Sequence, residues 1–163
     1  MAIDFVCNKN KSFRSNVRKT LPLLAESFFS QVGEAAHHPK SVKEMHEIRL
    51  SGKPLRYLME LCEPYFGKEF SNCYREIKDF IALIGDIHDS GLMLQSLSLY
   101  KRELEIFNKT IGQTDNRIQT VPLVPIMRTL REHKTKCMSE FTSIAKRWQL
   151  TGFKKKLTVS LYE

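Results

Sequence analysis

A chain of 163 residues with 42% hydrophobic and 27% charged side chains has the composition of one globular domain, residues 1–163. Its length is enough to bury roughly 70% of the surface that the unfolded form exposes, and this excludes the disordered and fibrous classes. Lys and Arg outnumber Asp and Glu by 26 to 18, a formal charge of +8 that favours an anionic partner without choosing among nucleic acid, acidic lipid and phosphate polymers.

The first element is expected over residues 12–36, where Phe13, Val17, Leu21, Leu24, Phe28 and Val32 recur at helical steps of three or four. His37, His38, Pro39 and Lys40 break it as an exposed connector. Ser41, with Glu44 three residues on, is a capping-box signature that opens a second helix over 42–66. Gly67 is expected to close that helix in the left-handed conformation, and Pro54 inside it predicts a kink. A third helix is expected from Asn72 through the Leu-rich stretch Leu92 to Leu104, ending near 108. After a polar connector, 113–120, a fourth spans 122–149, with Pro122 and Pro125 in or near its first turn and a stripe of Met127, Leu130, Cys137, Phe141, Ile144 and Trp148. Gly152 then precedes a short basic tail whose end, Leu157 to Tyr162, is the one place where a strand is conceivable. Four long helices with short connections predict an all-α, up-down-up-down four-helix bundle.

Cys7, Cys62, Cys73 and Cys137 are scattered with no Cys-x-x-Cys pair, a spacing read as neither a zinc site nor a disulfide framework. They are expected to be reduced, mostly buried thiols of a cytoplasmic protein. The N-terminus lacks a basic flank followed by a long apolar stretch, so no signal peptide is expected. The longest apolar run, Phe80 to Ile84, is too short to insert into a membrane.

The informative chemistry lies on the second helix. At helical spacing, His46, Arg49, Lys53 and Arg56 fall within an arc of about 80° and form a row about 15 Å long. The core-facing residues Ile48, Leu55, Leu58, Met59 and Cys62 flank the row on one side, and Leu50, Tyr57 and Leu61 on the other. A solvated charge run is the ordinary explanation for such a row, but apolar borders on both sides fit a groove or a subunit contact better. Like charges on adjacent turns repel by a few tenths of a kcal/mol per pair. Charge-assisted hydrogen bonds to a run of phosphates return roughly 1.5–3 kcal/mol each.

On the third helix, His88 shares the apolar arc of Ile77, Ile81 and Ile84 and is expected to be a core histidine satisfied by one hydrogen bond. Asp89, about 100° away, is expected to orient an arginine of the second helix. His46, His88 and Asp89 lack the spacing that plants paired ligands on one helix face, so neither a metal nor another cofactor is expected. The sequence has no Gly-x-x-x-x-Gly-Lys-Ser/Thr loop, and Glu103-Leu-Glu105-Ile-Phe107 lies in helix without a closing lysine, so no enzyme is expected. Nucleic-acid binding is the rival reading, favoured by the net charge and Lys154-Lys155-Lys156. Against it, the chain has no helix-turn-helix spacing, no zinc knuckle and little aromatic interleaving of the basic row.

The stretch His46-Glu-Ile-Arg49-Leu-Ser-Gly-Lys53-Pro-Leu-Arg56 resembles the H-x-x-R-x-x-x-K/R-x-x-R signature of the CHAD family, the conserved histidine α-helical domain. Leu83-Ile-Gly85-Asp-Ile-His88-Asp89 is similar to that family's L-G-x-x-x-D element. Arg128-x-x-Arg131 through Phe141, Trp148 and Gly152-Phe153-Lys154 resembles its closing helix. The resemblance implies a non-catalytic helical bundle that binds inorganic polyphosphate, targets polyphosphate granules or serves a polyphosphate- or triphosphate-processing enzyme as an accessory subunit. It implies His46, Arg49, Lys53 and Arg56 as ligand contacts, with Arg14, Arg18, Arg128 and Arg131 as additional ones. Pro54 stands where the family is often basic. Similar domains usually set two bundles across a basic channel, whereas this chain has residues for one, which implies a homodimer with Leu50, Tyr57 or Leu61 near the contact.

Overall fold

The structure, a computed structural model, describes residues 8–37, 41–111 and 117–163. These form five α-helices and one 3-10 turn, with no strand among the described residues. Cys7, the connector residues His38, Pro39 and Lys40, and positions 112–116 lie outside them.

Helix α1 spans Phe13–His37, and its stripe Val17, Leu21, Leu24, Phe28 and Val32 is buried as the periodicity requires. Phe13 is the exception. It is 46% exposed, with its ring centroid 5.0 Å from that of Tyr65. Helix α2 covers Val42–Cys62 and opens with the full capping box. The Ser41 side chain accepts from the Glu44 N–H, while the Glu44 carboxylate accepts from the Ser41 N–H at 2.8 Å. The helix runs through Pro54 and passes into a 3-10 turn, Glu63–Tyr65, with Pro64 in its first positions.

Gly67 does not close α2 in the left-handed region. Its φ of −73° and ψ of 179° are extended, and it is the N-cap of α3. Pro64, which has no N–H to extend the helical hydrogen-bond ladder, follows directly on the second helix, and the third starts at Lys68 rather than Asn72. Helix α3, Lys68–Thr110, is 43 residues long, about 64 Å at helical rise. Helix α4 spans Leu123–Thr151.

The tail is helix, not strand. Gly152, with φ of 63°, takes the left-handed conformation that ends α4 and lets the chain reverse into α5, Phe153–Ser160. Phe153 and Leu157 are one turn apart and buried, so an amphipathic helical period overrides the alternation that a strand would have needed.

Helices α1 to α4 pack each against the next in sequence, and α1 also packs against α4, so the four enclose one core. Aromatic rings fill the lower half. Phe80 meets Phe141 at 5.1 Å and Trp148 at 4.5 Å, and Trp148 stacks flat on Phe153 at 4.6 Å. The Trp148 indole N–H donates to Glu76 at 3.2 Å, which satisfies the one polar atom of that ring.

Beyond Gly91, where Val42 of the first turn of α2 approaches, α3 runs past the ends of α1 and α2. The Leu-rich stretch is therefore not core in the way its composition predicts. Leu104 and Met127 are buried there, but Leu92, Met93, Leu99, Tyr100, Ile106 and Phe107 are 44–61% exposed. No helix among the described residues is long and apolar enough to cross a membrane.

Candidate functional site

Two close approaches bring α2 and α3 together. A methyl group added at Gly52 would sit 2.9 Å from Phe28 and 3.0 Å from Ile81, so the α2 backbone rests directly on core side chains. At Gly85 the neighbour is the Arg49 guanidinium, 3.5–3.6 Å from where a Cβ would stand. That is ordinary van der Waals contact, so Arg49 packs on this face of α3 with room for a methyl group between them.

The gap between the two helices widens below Arg49 into a groove of about 490 Å³. Arg49, Lys53, Arg56 and Tyr57 line it from α2. From α3 come Lys78, Ile81, Ala82, Gly85, Asp79, Asp86 and Asp89. The three basic side chains of α2 are half-buried rather than waving in solvent, and they share one wall. Arg56 lies over the Tyr57 ring at 4.5 Å, and its Nε is buried without a hydrogen-bond partner among the described residues. An unpaired guanidinium donor withheld from water costs stability, on the order of 1–3 kcal/mol, until something accepts from it.

His46 stands one turn above Arg49. Its ring packs against that of His88, centroids 4.8 Å apart, and its Nδ1 is also buried without a partner. His88 is 7% exposed and has Asp89 Oδ1 2.7 Å from its Nδ1. The same carboxylate oxygen lies 3.5 Å from Arg49 Nη1. Asp89 thus ties the histidine pair to the first arginine of the row. The hydrogen bond with His88, more than the nearby Arg49 charge, holds the Asp89 carboxyl below its ordinary range, against the opposing effect of partial burial.

Sequence reasoning missed Lys78, Asp79 and Asp86. Lys78, Ala82, Gly85 and Asp89 follow at steps of four, three and four, and Asp79, Ala82, Asp86 and Asp89 at three, four and three, so both sets share one helix face, and that spacing was there to find them. The groove is consequently less positive than the α2 row by itself, since three aspartates face four cations.

The arginines of the first and last helices are elsewhere. Arg14 is exposed over the Phe66 ring at 5.8 Å. Arg18 donates from Nε to the Leu161 carbonyl at 2.8 Å and lies over Tyr162 at 4.9 Å, so it fastens the C-terminal segment. Arg128 is exposed and pairs with Glu132 at 2.9 Å, and Arg131 is exposed on the same helix. None of the four lines the groove.

Leu50, Tyr57 and Leu61, on the outer flank of the basic row, are 48%, 50% and 68% exposed. The cysteines Cys62, Cys73 and Cys137 are free and buried. Burial pushes the Cys62 and Cys73 thiols up to about 11.

No curated protein and no solved structure matches this chain significantly. The family model of the CHAD domain matches residues 6–98, more than half of the sequence. The match takes in α1, α2 and α3 as far as Ser98, including every groove residue, and stops before α4, so the likeness noted around Arg128 and Arg131 falls outside it. The histidine pair, the arginine row and the α3 face that closes the groove all lie within the matched segment, and the chain belongs to the CHAD domain family.

Proposed function

We propose that the α2–α3 groove binds inorganic polyphosphate and that the protein is a non-catalytic binding module. Membership of a family associated with polyphosphate and triphosphate supports this ligand class. The observation that carries the reading to particular residues is the convergence of half-buried Arg49, Lys53 and Arg56 on one groove wall, with the Arg56 Nε donor lacking an acceptor among the described residues. Guanidinium forks suit bidentate contact with successive phosphate oxygens, and Lys53 and Lys78 add point charges to the same run. Asp79, Asp86 and Asp89 repel a polyanion, so the bound chain follows the α2 wall.

His46 and His88 act from the end of the groove by setting Asp89, which in turn positions Arg49. Exposed Leu50, Tyr57 and Leu61 beside the row are a surface for a second copy of the chain, which would supply an opposite wall. Action beside a polyphosphate-processing enzyme, or on cytoplasmic polyphosphate granules, follows as the cellular setting.

Nucleic acid is the competing occupant, since phosphates and positive charge are common to both. Displacement of a labelled polyphosphate chain measures the difference. At near-physiological salt, tRNA and duplex DNA at equal phosphate concentration should fail to displace it. Displacement by either refutes the assignment. Light scattering during size-exclusion chromatography, with and without polyphosphate, should give twice the chain mass, and a monomer under both conditions refutes the second-copy wall.

A further inference from the structure

We propose that Asp86, His133 and Cys137 form a binding site for one divalent transition-metal ion of the zinc class, with solvent as the fourth ligand. The inference does not depend on the polyphosphate reading. The expectation of no zinc-type site overlooks His133, which stands four residues before Cys137 and therefore one turn above it on the same face of α4. The fold adds Asp86 from α3, where that helix packs against α4, a partner that no sequence spacing reveals.

The distances support a coordination sphere. One ligand atom from each of the three residues lies within 4.8 Å of the other two. Cys137 Sγ and His133 Nε2 are 3.6 Å apart. A tetrahedral zinc ion with Zn–S of about 2.3 Å and Zn–N of about 2.0–2.1 Å separates its sulfur and nitrogen ligands by roughly 3.5–3.6 Å. The histidine and cysteine are thus already spaced as two corners of the tetrahedron. Bonds of about 2.0–2.3 Å set the edges of such a tetrahedron at roughly 3.3–3.6 Å, and rotation of the exposed Asp86 side chain supplies the closure from a separation within 4.8 Å.

The donor set is also chemically apt. Imidazole, thiolate and carboxylate together suit zinc and cobalt better than magnesium or calcium, which prefer oxygen ligands alone. Cys137 is 5% exposed while His133 and Asp86 are exposed, so the sulfur sits at the floor of the site and the fourth position opens outward. Burial and the nearby Asp86 and Glu140 charges hold the Cys137 thiol above its ordinary range. Binding a dication releases that proton to solvent, leaves a metal-bound thiolate and neutralises the repulsion between sulfur and carboxylate. Asp86 also borders the groove, so an ion here would remove one of its three negative charges.

The test is titration of the reduced, metal-free full-length protein with Co²⁺, followed by its absorption spectrum. One equivalent should produce a thiolate-to-cobalt charge-transfer band in the near ultraviolet and the intense visible bands of tetrahedral cobalt, both bleached by Zn²⁺. Cys137→Ser should abolish the charge-transfer band. His133→Ala and Asp86→Asn, at exposed positions that leave the core intact, should each weaken cobalt binding by at least about tenfold, equivalent to about 1.4 kcal/mol. Far-ultraviolet circular dichroism and the thermal midpoint verify that each variant is folded. Three results overturn the proposal: no charge-transfer band in the wild-type protein, meaning a thiol–imidazole hydrogen bond only; a band that survives Cys137→Ser; or affinity unchanged in both His133→Ala and Asp86→Asn.

Discussion

The sharpest consequence of the groove geometry concerns Arg56. Its guanidinium is held over Tyr57 and its Nε donor is buried with no acceptor among the described residues, so the fold holds the donor in place before any anion arrives. A charged hydrogen bond to phosphate contributes roughly 1.5–3 kcal/mol, so Arg56→Ala should weaken polyphosphate binding by roughly ten- to a hundredfold. Arg49 should matter less. Asp89 already engages it at 3.5 Å, and moving to phosphate exchanges one acceptor for another. Arg56→Lys should recover only part of the loss, because a point charge cannot reproduce the planar fork. Isothermal titration calorimetry with a polyphosphate of defined length, at two salt concentrations, measures each affinity. Removal of one cation should also flatten the salt dependence in both alanine variants. Arg56→Ala binding as tightly as wild type, or Arg49→Ala losing more than Arg56→Ala, would refute the reasoning.

Other outcomes follow from the packing. Gly52→Ala should lower stability by about 1–2 kcal/mol, since the new methyl meets Phe28 and Ile81 at 2.9–3.0 Å, a penalty only partly offset by the helix preference for alanine. Gly85→Ala meets Arg49 at ordinary contact distance and should instead stabilise the fold by up to about 1 kcal/mol, with affinity retained; urea denaturation distinguishes the two. Arg18→Ala should cost about 1–2 kcal/mol by releasing the Leu161 carbonyl and Tyr162, yet leave polyphosphate affinity unchanged, as calorimetry and urea midpoints will report. Because the Asp89 carboxyl is held below its ordinary range, its contribution to stability is complete above the usual aspartate pKa and disappears as pH falls through the depressed value. The difference in urea midpoint between wild type and Asp89→Asn should therefore be constant near neutrality and shrink in acid.

Helix existence, type and core stripe were legible in the sequence because they depend on local periodicity. Val17 to Val32 and Met127 to Trp148 bury the faces that their spacing dictates, and Ser41 with Glu44 marks the start of α2 to the residue. The boundaries assigned to glycine were not. Pro64, not Gly67, ends α2, and Gly152 begins a helix where a tail or strand was expected, since the conformation a glycine adopts depends on what the following residues can bury.

The basic row of α2 was also legible, because one helix face is a local property. Its setting was not. Which side chains stand opposite Arg49 and Arg56, that Arg49 packs beside Gly85, and that Arg18 fastens the C-terminal segment all depend on contacts between residues far apart in the chain. The sequence by itself determined that the protein is helical and sets His46, Arg49, Lys53 and Arg56 on one helix face within a CHAD signature. Only the tertiary structure decided that this face opposes Lys78 and three aspartates, that His46 lies against His88, and that Asp86 reaches His133 and Cys137, because helix packing, not helix formation, sets distances between elements.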